Sequence, residues 1–277
     1  MARKGSPARP DNVVARARAA DAGRSPGRPR GALWENVKSI LGAIMIYLVL
    51  KTFLIEAYRI PSGSMIPTLL IGDWLFVNKL VYGPRIPFTD VRLPGYQEPR
   101  RGEVVVFKSP RQIDQPHDPT PTLVKRLVGM PGDTLHMRAG VLHVNGVPRR
   151  QGGAAASNWV GEPNEMSELF AWQHRVELRG TRFGAPPAVP THDNWGPLLI
   201  PQRFYFMMGD NRYCSKDSRY WGIVPRENVR GRPMFVYFSY RPNLKPGESL
   251  DCNPDVSDRA LPFITDVRWG RIGDWVR

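Results

Sequence analysis

The feature that most constrains this chain is a long apolar run near its N-terminus, from Leu33 to Tyr58, densest between Ile40 and Leu50. A continuous helix over 34–55 would have 22 residues. At about 1.5 Å per residue it would cover the roughly 30 Å hydrocarbon core of a bilayer. A buried core helix and a cleaved signal peptide are the alternatives, but no small-x-small cleavage site follows the run. The run therefore predicts a retained transmembrane helix at 34–55.

The charge of the chain is concentrated before this helix. Residues 1–32 carry eight basic and two acidic residues, which supply +6 of the formal net charge of +14. Because basic segments stay on the cytoplasmic side, we expect a cytoplasmic N-terminus and an exported remainder. The tail is rich in Pro, Gly, Ala and Arg and is predicted to be disordered. The remaining charge is spread over the other 245 residues without a nucleic-acid-binding signature, so no nucleic-acid partner is expected.

Beyond Ala57 the helical period ends and short apolar runs alternate with turns rich in Pro and Gly. This pattern predicts a mainly β, mostly antiparallel fold. Residues 147–203 differ, because they are rich in Gly, Ala, Pro, Asn and Trp with weak periodicity, and they are interpreted as part of an insertion. The predicted strands are 73–77, 103–107, 123–128, 134–137, 141–144, 204–208 and 233–240.

Two serines flank a glycine in the sequence IPSGSMIPT, residues 60–68. Pro61 and Pro67 restrict the backbone on either side, and Gly63 permits conformations that a Cβ would forbid. Such a loop can present the hydroxyl of Ser64 as a nucleophile. The residues alone favour the alternative, an ordinary serine-rich turn.

A serine nucleophile needs a base. None of the five histidines (His117, His136, His143, His174 and His192) has a catalytic sequence context, and neither a G-x-S-x-G elbow nor an H-E-x-x-H zinc motif occurs. Lys125 alternates with Leu123 and Leu127, so a strand would carry its amine on an apolar face. Burial there would lower its pKa and let it accept a proton. The residues alone favour the alternative, a solvated charge on an edge strand.

A third polar stretch, residues 208–222, follows an apolar strand. Asp217 and Arg219 are two apart and could form an ion pair on one face of a strand. Ser215 and Ser218 could orient a neighbouring amine by hydrogen bonds. A decorated hairpin loop is the alternative. The two cysteines, Cys214 and Cys252, do not define a disulfide framework, and the balance is slightly against a bridge.

Together these stretches resemble bacterial type I signal peptidases. The match consists of four segments in the family's order after the apolar helix: 60–83, 101–110, 124–133 and 208–225. The resemblance implies a serine–lysine dyad, with Ser64 as nucleophile and Lys125 as general base. It also implies that the Ser62 hydroxyl joins the Ser64 backbone N–H in the oxyanion hole, that Ser215 holds the lysine amine, and that Asp217 and Arg219 form a supporting ion pair.

One departure lies within the fourth segment. The family usually continues Asp-Asn-Ser after GDNR, whereas this chain has Tyr213-Cys214-Ser215. Catalysis is not reassigned to Cys214, because it lacks an obvious activating partner and an ordinary thiol is largely protonated.

The resemblance further implies an antiparallel β catalytic domain at 58–133 and 206–277, with a smaller β-rich domain inserted at 134–205. The implied substrates are signal peptides of exported preproteins, cleaved after small residues, with no cofactor and no metal. The implied location is the inner (plasma) membrane, where the chain contacts the lipid bilayer, faces the periplasmic side and could associate with the secretion machinery.

Two rival functions remain. Repressor-type or pilus-processing serine–lysine proteases would share the dyad, but a repressor would need a helix-turn-helix domain where this chain has a basic tail and an apolar helix. A membrane-tethered β domain that only binds peptides or lipids would have lost Ser64 or Lys125, and both are present.

Overall fold

The structure is a computed structural model that describes residues 32–89, 91–149, 167–180, 182–242 and 266–277. The predicted disordered tail, apart from its last residue, lies outside the described residues, as does the Gly- and Ala-rich part of the predicted insertion. The chain divides into two units, residues 1–48 and residues 49–277, and each is described by itself.

Helix α1, Ala32–Val49, continues into a π-helical turn at Leu50–Leu54. The stretch Trp34–Leu54 has 21 residues, none of them classed as buried. It is the one helix of the described residues that is long and apolar enough to cross a membrane. The predicted helix end at Ile55 is one residue too late, because Ile55 begins a strand and pairs with Asn78.

The larger sheet has seven strands, and every neighbouring pair is antiparallel. Their order across the sheet is β1-β2-β11-β3-β4-β9-β10. The strands are β1 Ile55–Arg59, β2 Asp73–Asn78, β3 Val104–Lys108, β4 Thr122–Gly129, β9 Phe204–Met208, β10 Val224–Pro225 and β11 Val229–Ser239.

The smaller sheet has four antiparallel strands in the order β7-β6-β5-β8. Its strands are β5 Thr134–Arg138, β6 Val141–Val144, β7 Val147–Arg149 and β8 Trp195–Leu199. A 3₁₀ helix, Ser167–Arg175, precedes β8, and a short helix α2, Ser218–Trp221, follows β9. All of these elements belong to the unit 49–277, so the division into a catalytic and an inserted domain stays a prediction.

Successive side chains of the central strands point to opposite faces of the sheet, and this alternation divides the buried core into separate clusters. Val105 and Phe107 of β3 face one cluster of buried apolar residues, whereas Val104 and Val106 face another. Along β9 the same period sends Met207 to the first cluster and its neighbours Phe206 and Met208 to a third, shared with the smaller sheet. The two sheets therefore pack against each other through β9.

Strand β11 joins the two halves of the large sheet. Its first residues pair with β3 and its later residues pair with β2, with register shifts between them. Such irregularities bend a strand and increase its twist. The bend explains how one eleven-residue strand pairs with both β3 and β2.

The mainly β prediction is confirmed, and each predicted strand is present within a few residues. Four strands were missed: β1, β7, β8 and β10. β8 lacks the β-branched residues typical of strands, and β10 has only two residues. Cross-strand pairing, rather than local propensity, creates these strands.

The carboxylate of Asp73, at the start of β2, is a fully buried hub. Its Oδ1 accepts a hydrogen bond from the Ser239 hydroxyl at 2.7 Å, and its Oδ2 accepts from the Leu70 amide at 2.8 Å and from Arg271 Nη2 at 2.7 Å. This side chain connects β2, the end of β11 and the C-terminal segment.

Asp73→Ala should lower the free energy of unfolding by about 3 kcal/mol, because it leaves several buried donors without an acceptor. For a unit of this size the melting temperature should fall by roughly 6–12 °C. Thermal unfolding of the full chain in detergent, followed by tryptophan fluorescence, measures the loss. The matched control is Asp274→Ala, which removes a half-exposed partner of the same Arg271 and should shift the melting temperature by no more than about 2 °C. Equal shifts in melting temperature for the two variants would contradict the structural role proposed for the Asp73 carboxylate.

Candidate active site

The serine loop is a single turn anchored by a buried neighbour. Residues Gly63–Met65 form one 3₁₀ turn after an extended Ser62, and the Ile66 amide donates to the Gly63 carbonyl at 3.1 Å. Met65 is buried in the core cluster that includes residues of β2 and β3. Because Met65 is fixed there, Ser64 sits on rigid backbone, with its side chain also buried.

Lys125 lies in the middle of the large sheet. Its strand, β4, pairs with β3 on one side and β9 on the other, and Lys125 is directly opposite Val105. The residue is only 4% exposed, and Leu123 and Leu127 on the same face pack into the core cluster of Val105. These facts exclude a solvated lysine on an edge strand.

The amine of Lys125 and the hydroxyl of Ser64 are joined by a hydrogen bond, with Nζ and Oγ 2.5 Å apart. Burial lowers the pKa of Lys125 to about 8; the carboxylates of Asp217 and Asp210 oppose this effect, and Arg219 adds to it. A neutral amine at this distance can accept the hydroxyl proton of a serine. The pair is therefore chemically able to generate a serine nucleophile.

The two other predicted serines have different surroundings. The Ser62 hydroxyl donates to Ser64 Oγ at 3.5 Å, a long hydrogen bond, and Ser62 is half-buried. The Ser215 hydroxyl is buried, with no hydrogen-bond partner among the described residues. The predicted hydrogen bond from Ser215 to Lys125 is thus not formed in this structure. The Ser215 side chain instead lies against Gly209, in the segment after β9.

Asp217 and Arg219 form the predicted ion pair, but not on a strand. Asp217 caps helix α2, and Arg219 lies within it. Both are fully buried, and the pair is bidentate, with Nε–Oδ1 at 2.8 Å and Nη2–Oδ2 at 2.9 Å. Asp217 also accepts the Gly209 amide at 3.0 Å. Its pKa is lowered because the guanidinium of Arg219 and these donors outweigh the effect of burial.

A second buried ion pair was not predicted. Arg126 follows the lysine on β4 and points to the opposite face, where its Nε and Nη2 bind both oxygens of Asp210 at 2.6 and 2.5 Å. The Thr68 hydroxyl donates to Asp210 at 2.5 Å. The pair thus fixes the serine loop to β4 and to the segment after β9. The side-chain alternation that placed Lys125 could have suggested an opposite-face role for Arg126.

The backbone after β9 touches the serine directly. The Asn211 amide donates to the Ser64 carbonyl at 3.1 Å. Gly209 is so close that a Cβ there would lie 2.5 Å from the same carbonyl oxygen and closer still to Ser215 Oγ. Only glycine fits between these groups without displacing them.

His192, interpreted from sequence as structural, is next to the buried ion pair. Its ring nitrogens contact the Arg219 guanidinium, the Arg212 carbonyl at 2.8 Å and the Asp193 carboxylate at 2.6 Å. It therefore borders the site without contacting Ser64. It comes from the segment before β8, so no local pattern links it to helix α2.

The prediction against a disulfide is wrong, because Cys214 is disulfide-bonded. The chain has one other cysteine, Cys252, which lies outside the described residues. Sequence separation does not reveal how close two thiols are in space, so the prediction lacked the deciding information. As a disulfide sulfur, Cys214 does not titrate and supplies no thiolate.

The chain is similar to known proteins of one family. The family model described as "Signal peptidase, peptidase S26" matches residues 33–238. The "Signal peptidase I" of Pseudomonas fluorescens is 37% identical over 221 residues, covering 75% of this chain and 73% of the relative. That of Aquifex aeolicus is 32% identical over 269 residues, covering 86% of this chain and 97% of the relative.

Among solved structures, a signal peptidase I from Enterococcus faecalis V583 is 27% identical, with a TM-score of 0.29, covering 49% of this chain and 97% of that chain. The resemblance found from the four sequence segments is confirmed by the family match and the curated relatives. The chain therefore belongs to the signal peptidase family, peptidase S26, and is a serine peptidase of the signal peptidase I type.

Proposed function

We propose that this chain removes N-terminal signal peptides from exported preproteins by means of a Ser64–Lys125 dyad. The observation that carries the proposal is the 2.5 Å separation of Lys125 Nζ and Ser64 Oγ inside a buried site. The lowered pKa of Lys125, about 8, supports a base that is available near neutral pH.

In the proposed first step, neutral Lys125 accepts the Ser64 proton while Ser64 Oγ attacks the scissile carbonyl carbon. The negative charge that develops on the carbonyl oxygen is stabilised by the Ser64 backbone N–H and the Ser62 hydroxyl. The lysine ammonium then protonates the leaving amine, and the C–N bond breaks. In the second step Lys125 takes a proton from water while the water oxygen attacks the acyl carbon. The ester C–O bond to Ser64 then breaks, and the lysine ammonium returns its proton to Ser64 Oγ, which restores the dyad.

The surrounding charges have positioning roles in this proposal. Asp217 and Arg219 neutralise each other within the core, so neither acts on the lysine as an unpaired charge. Ser215 is proposed to orient the amine during the cycle, once Ser64 has left its hydrogen bond to Lys125. Its buried, unpartnered hydroxyl supports this role, because a buried hydroxyl without a partner is destabilising and calls for a functional reason.

The apolar helix supports a membrane anchor, since 21 residues at about 1.5 Å each span the roughly 30 Å hydrocarbon core. We propose a single pass in the inner membrane, with the basic N-terminus in the cytoplasm and residues 58–277 on the exported side. The catalytic strands would then meet preproteins as they leave the secretion machinery. Cleavage after small residues is proposed from the family resemblance, and the segment 134–205 is proposed as an inserted domain.

Ser64→Ala and Lys125→Met should each remove activity, the first by deleting the nucleophile and the second by replacing the base with an apolar chain of similar length. For loss of the base we expect a decrease of about 10²–10⁴-fold in kcat/KM. Cleavage of a model preprotein at its signal junction by the full chain in detergent measures both. The control is Lys108→Met on neighbouring β3, which should retain activity. Normal cleavage by Lys125→Met would exclude the dyad.

The pH dependence tests the protonation state. Because the base must be neutral, kcat/KM should rise with pH and reach half its plateau near pH 8, the pKa of Lys125. Below that value activity should fall about tenfold per pH unit. A half-maximum near 6.5 would instead indicate a histidine, and one near 10.4 an unperturbed lysine.

Gly209→Ala tests the contact between the segment after β9 and the serine. A Cβ there collides with the Ser64 carbonyl and the Ser215 hydroxyl, so Ser64 must move and kcat should fall at least about tenfold with little change in KM. Steady-state kinetics separates the two constants. Gly270→Ala, at a position with open space around it, is the control and should behave as the parent. A Gly209→Ala variant with unchanged kcat would show that the serine loop is not held by this contact.

A further inference from the structure

A cavity of about 590 Å³ lies away from Ser64 and Lys125, between the loop after β2 and the turns that flank β9 and β10. Its walls are unusually rich in arginine. Of the residues that the structure describes, four arginines and two glutamates belong to its lining, so guanidinium groups exceed carboxylates by two. These side chains are Arg85, Arg92, Arg203, Arg226, Glu98 and Glu227.

One wall is a fixed framework of donors. Arg92 donates to four backbone carbonyls, including that of Gly83 at 2.7 Å and that of Val229 at 2.7 Å. Arg226 binds both oxygens of Glu98 through Nε and Nη2, at 2.5 and 3.0 Å. Its Nη1 is buried with no acceptor among the residues the structure describes. This wall therefore supplies positive charge that is fixed in place.

Arg203 occupies a position that suits glycine. Its φ is 67°, in the turn where the Phe204 amide bonds the Pro201 carbonyl. A residue with a Cβ is strained in this left-handed region, and strain of this kind clusters at functional sites. The side chain of Arg203 is exposed and forms no ion pair with any residue the structure describes. An arginine at this turn therefore weakens the fold and leaves a guanidinium available at the cavity.

The positive charge at the cavity is not neutralised by its own carboxylates. Burial and the neighbouring guanidinium groups of Arg226, Arg85 and Arg230 lower the pKa of Arg92 to about 10. Burial is the largest cause of this shift, and the repulsion among the arginines adds to it. That repulsion indicates a positive potential, which favours the binding of an anion.

We propose that this arginine cavity binds a phosphate group. Phosphate matches the planar, forked donors of arginine, which bind two of its oxygens at once. Arg203 and Arg85 would contact the anion at the cavity mouth, and Arg92 and Arg226 would supply positive charge behind them.

A lipid headgroup and free phosphate both carry this group, and the neighbouring hairpin favours the lipid. Arg85 and Arg92 face each other as a β-bridge at the base of a tight loop, in which the Ile86 amide bonds the Val91 carbonyl. At its tip Phe88 is fully exposed, at 107% of its reference area, and Val91 is exposed as well. An exposed aromatic beside basic residues is typical of segments that enter the interfacial layer of a membrane.

The test uses the full chain in a neutral maltoside detergent at constant ionic strength. The probes are inorganic phosphate, phosphatidic acid added to the micelles, and diacylglycerol, which has the same chains without the phosphate. Binding raises the melting temperature in a saturable way. We expect phosphatidic acid to do so and diacylglycerol to have no effect.

Arg203→Gly removes the guanidinium while relieving the strained backbone, so the variant should fold at least as well as the parent. Its apparent Kd for the phosphate probe should rise about tenfold, as for the loss of one charge-assisted hydrogen bond. Arg111→Gly, which removes an exposed arginine that is not part of the lining, is the charge-matched control and should bind as the parent.

Phe88→Asn distinguishes the two sources, since asparagine tolerates the positive φ of this position. Weaker binding of phosphatidic acid with unchanged binding of inorganic phosphate would identify a lipid headgroup. Equal binding of both probes, unaffected by Phe88→Asn, would identify free phosphate, and either result supports the cavity as a phosphate site. Two results would overturn the proposal. One is that neither phosphate probe binds saturably beyond the effect of chloride at the same ionic strength. The other is that Arg203→Gly and Arg111→Gly bind the phosphate probe with equal affinity.

Discussion

The chemistry of this site depends on the burial of one lysine amine away from water. Lys125 is placed on a central strand, with leucines on either side along its face and a serine hydroxyl at its tip. Lowering its pKa from 10.5 to about 8 destabilises the ammonium relative to the neutral amine by roughly 3 kcal/mol. A surface lysine with the same neighbours in sequence would stay charged and could not accept a proton, so burial creates the chemistry.

Such burial requires that the surrounding charges be balanced. Asp217 and Asp210 both favour the lysine ammonium, and each is paired with an arginine, Arg219 and Arg126 respectively. A buried ion pair contributes little net stability, because desolvation offsets the attraction. Its value here is geometric. The two pairs fix helix α2, the segment after β9 and the serine loop to β4, which keeps the hydroxyl within reach of the amine.

Arginine has two different roles in this chain. Near the site, Arg126 and Arg219 are bidentate partners of buried carboxylates, and their donors are used. Around the cavity next to β9, arginines exceed carboxylates, one guanidinium nitrogen is buried without an acceptor and one arginine occupies a strained turn. The first arrangement fixes the geometry of the site, whereas the second leaves positive charge and the exposed guanidinium of Arg203 for a ligand. Because of this difference, we propose the phosphate site at the cavity rather than at any other arginine-rich surface.

The sequence alone determined the features that depend on local periodicity. A predominantly apolar stretch of 22 residues predicts a helix of bilayer length. Alternation predicts the strands, and the same alternation placed Lys125 on an apolar face. The four ordered segments pointed to the family and to the pair Ser64 and Lys125. These inferences succeed because the spacing of side chains along a helix or strand is fixed by backbone geometry.

Contacts between residues that are distant in sequence became visible only in the folded chain. Ser64 and Lys125 are separated by 61 positions, and the distance between their side chains follows from sheet pairing and from the anchoring of Met65. The same holds for the pair Arg126–Asp210, for His192 beside Arg219 and for the disulfide at Cys214, none of which the sequence indicated. Strands β1 and β8 likewise form because a neighbour offers hydrogen bonds, not because their own residues prefer to be extended. Contacts between distant segments depend on packing and on the satisfaction of buried polar groups, and neither is encoded within a short stretch of chain.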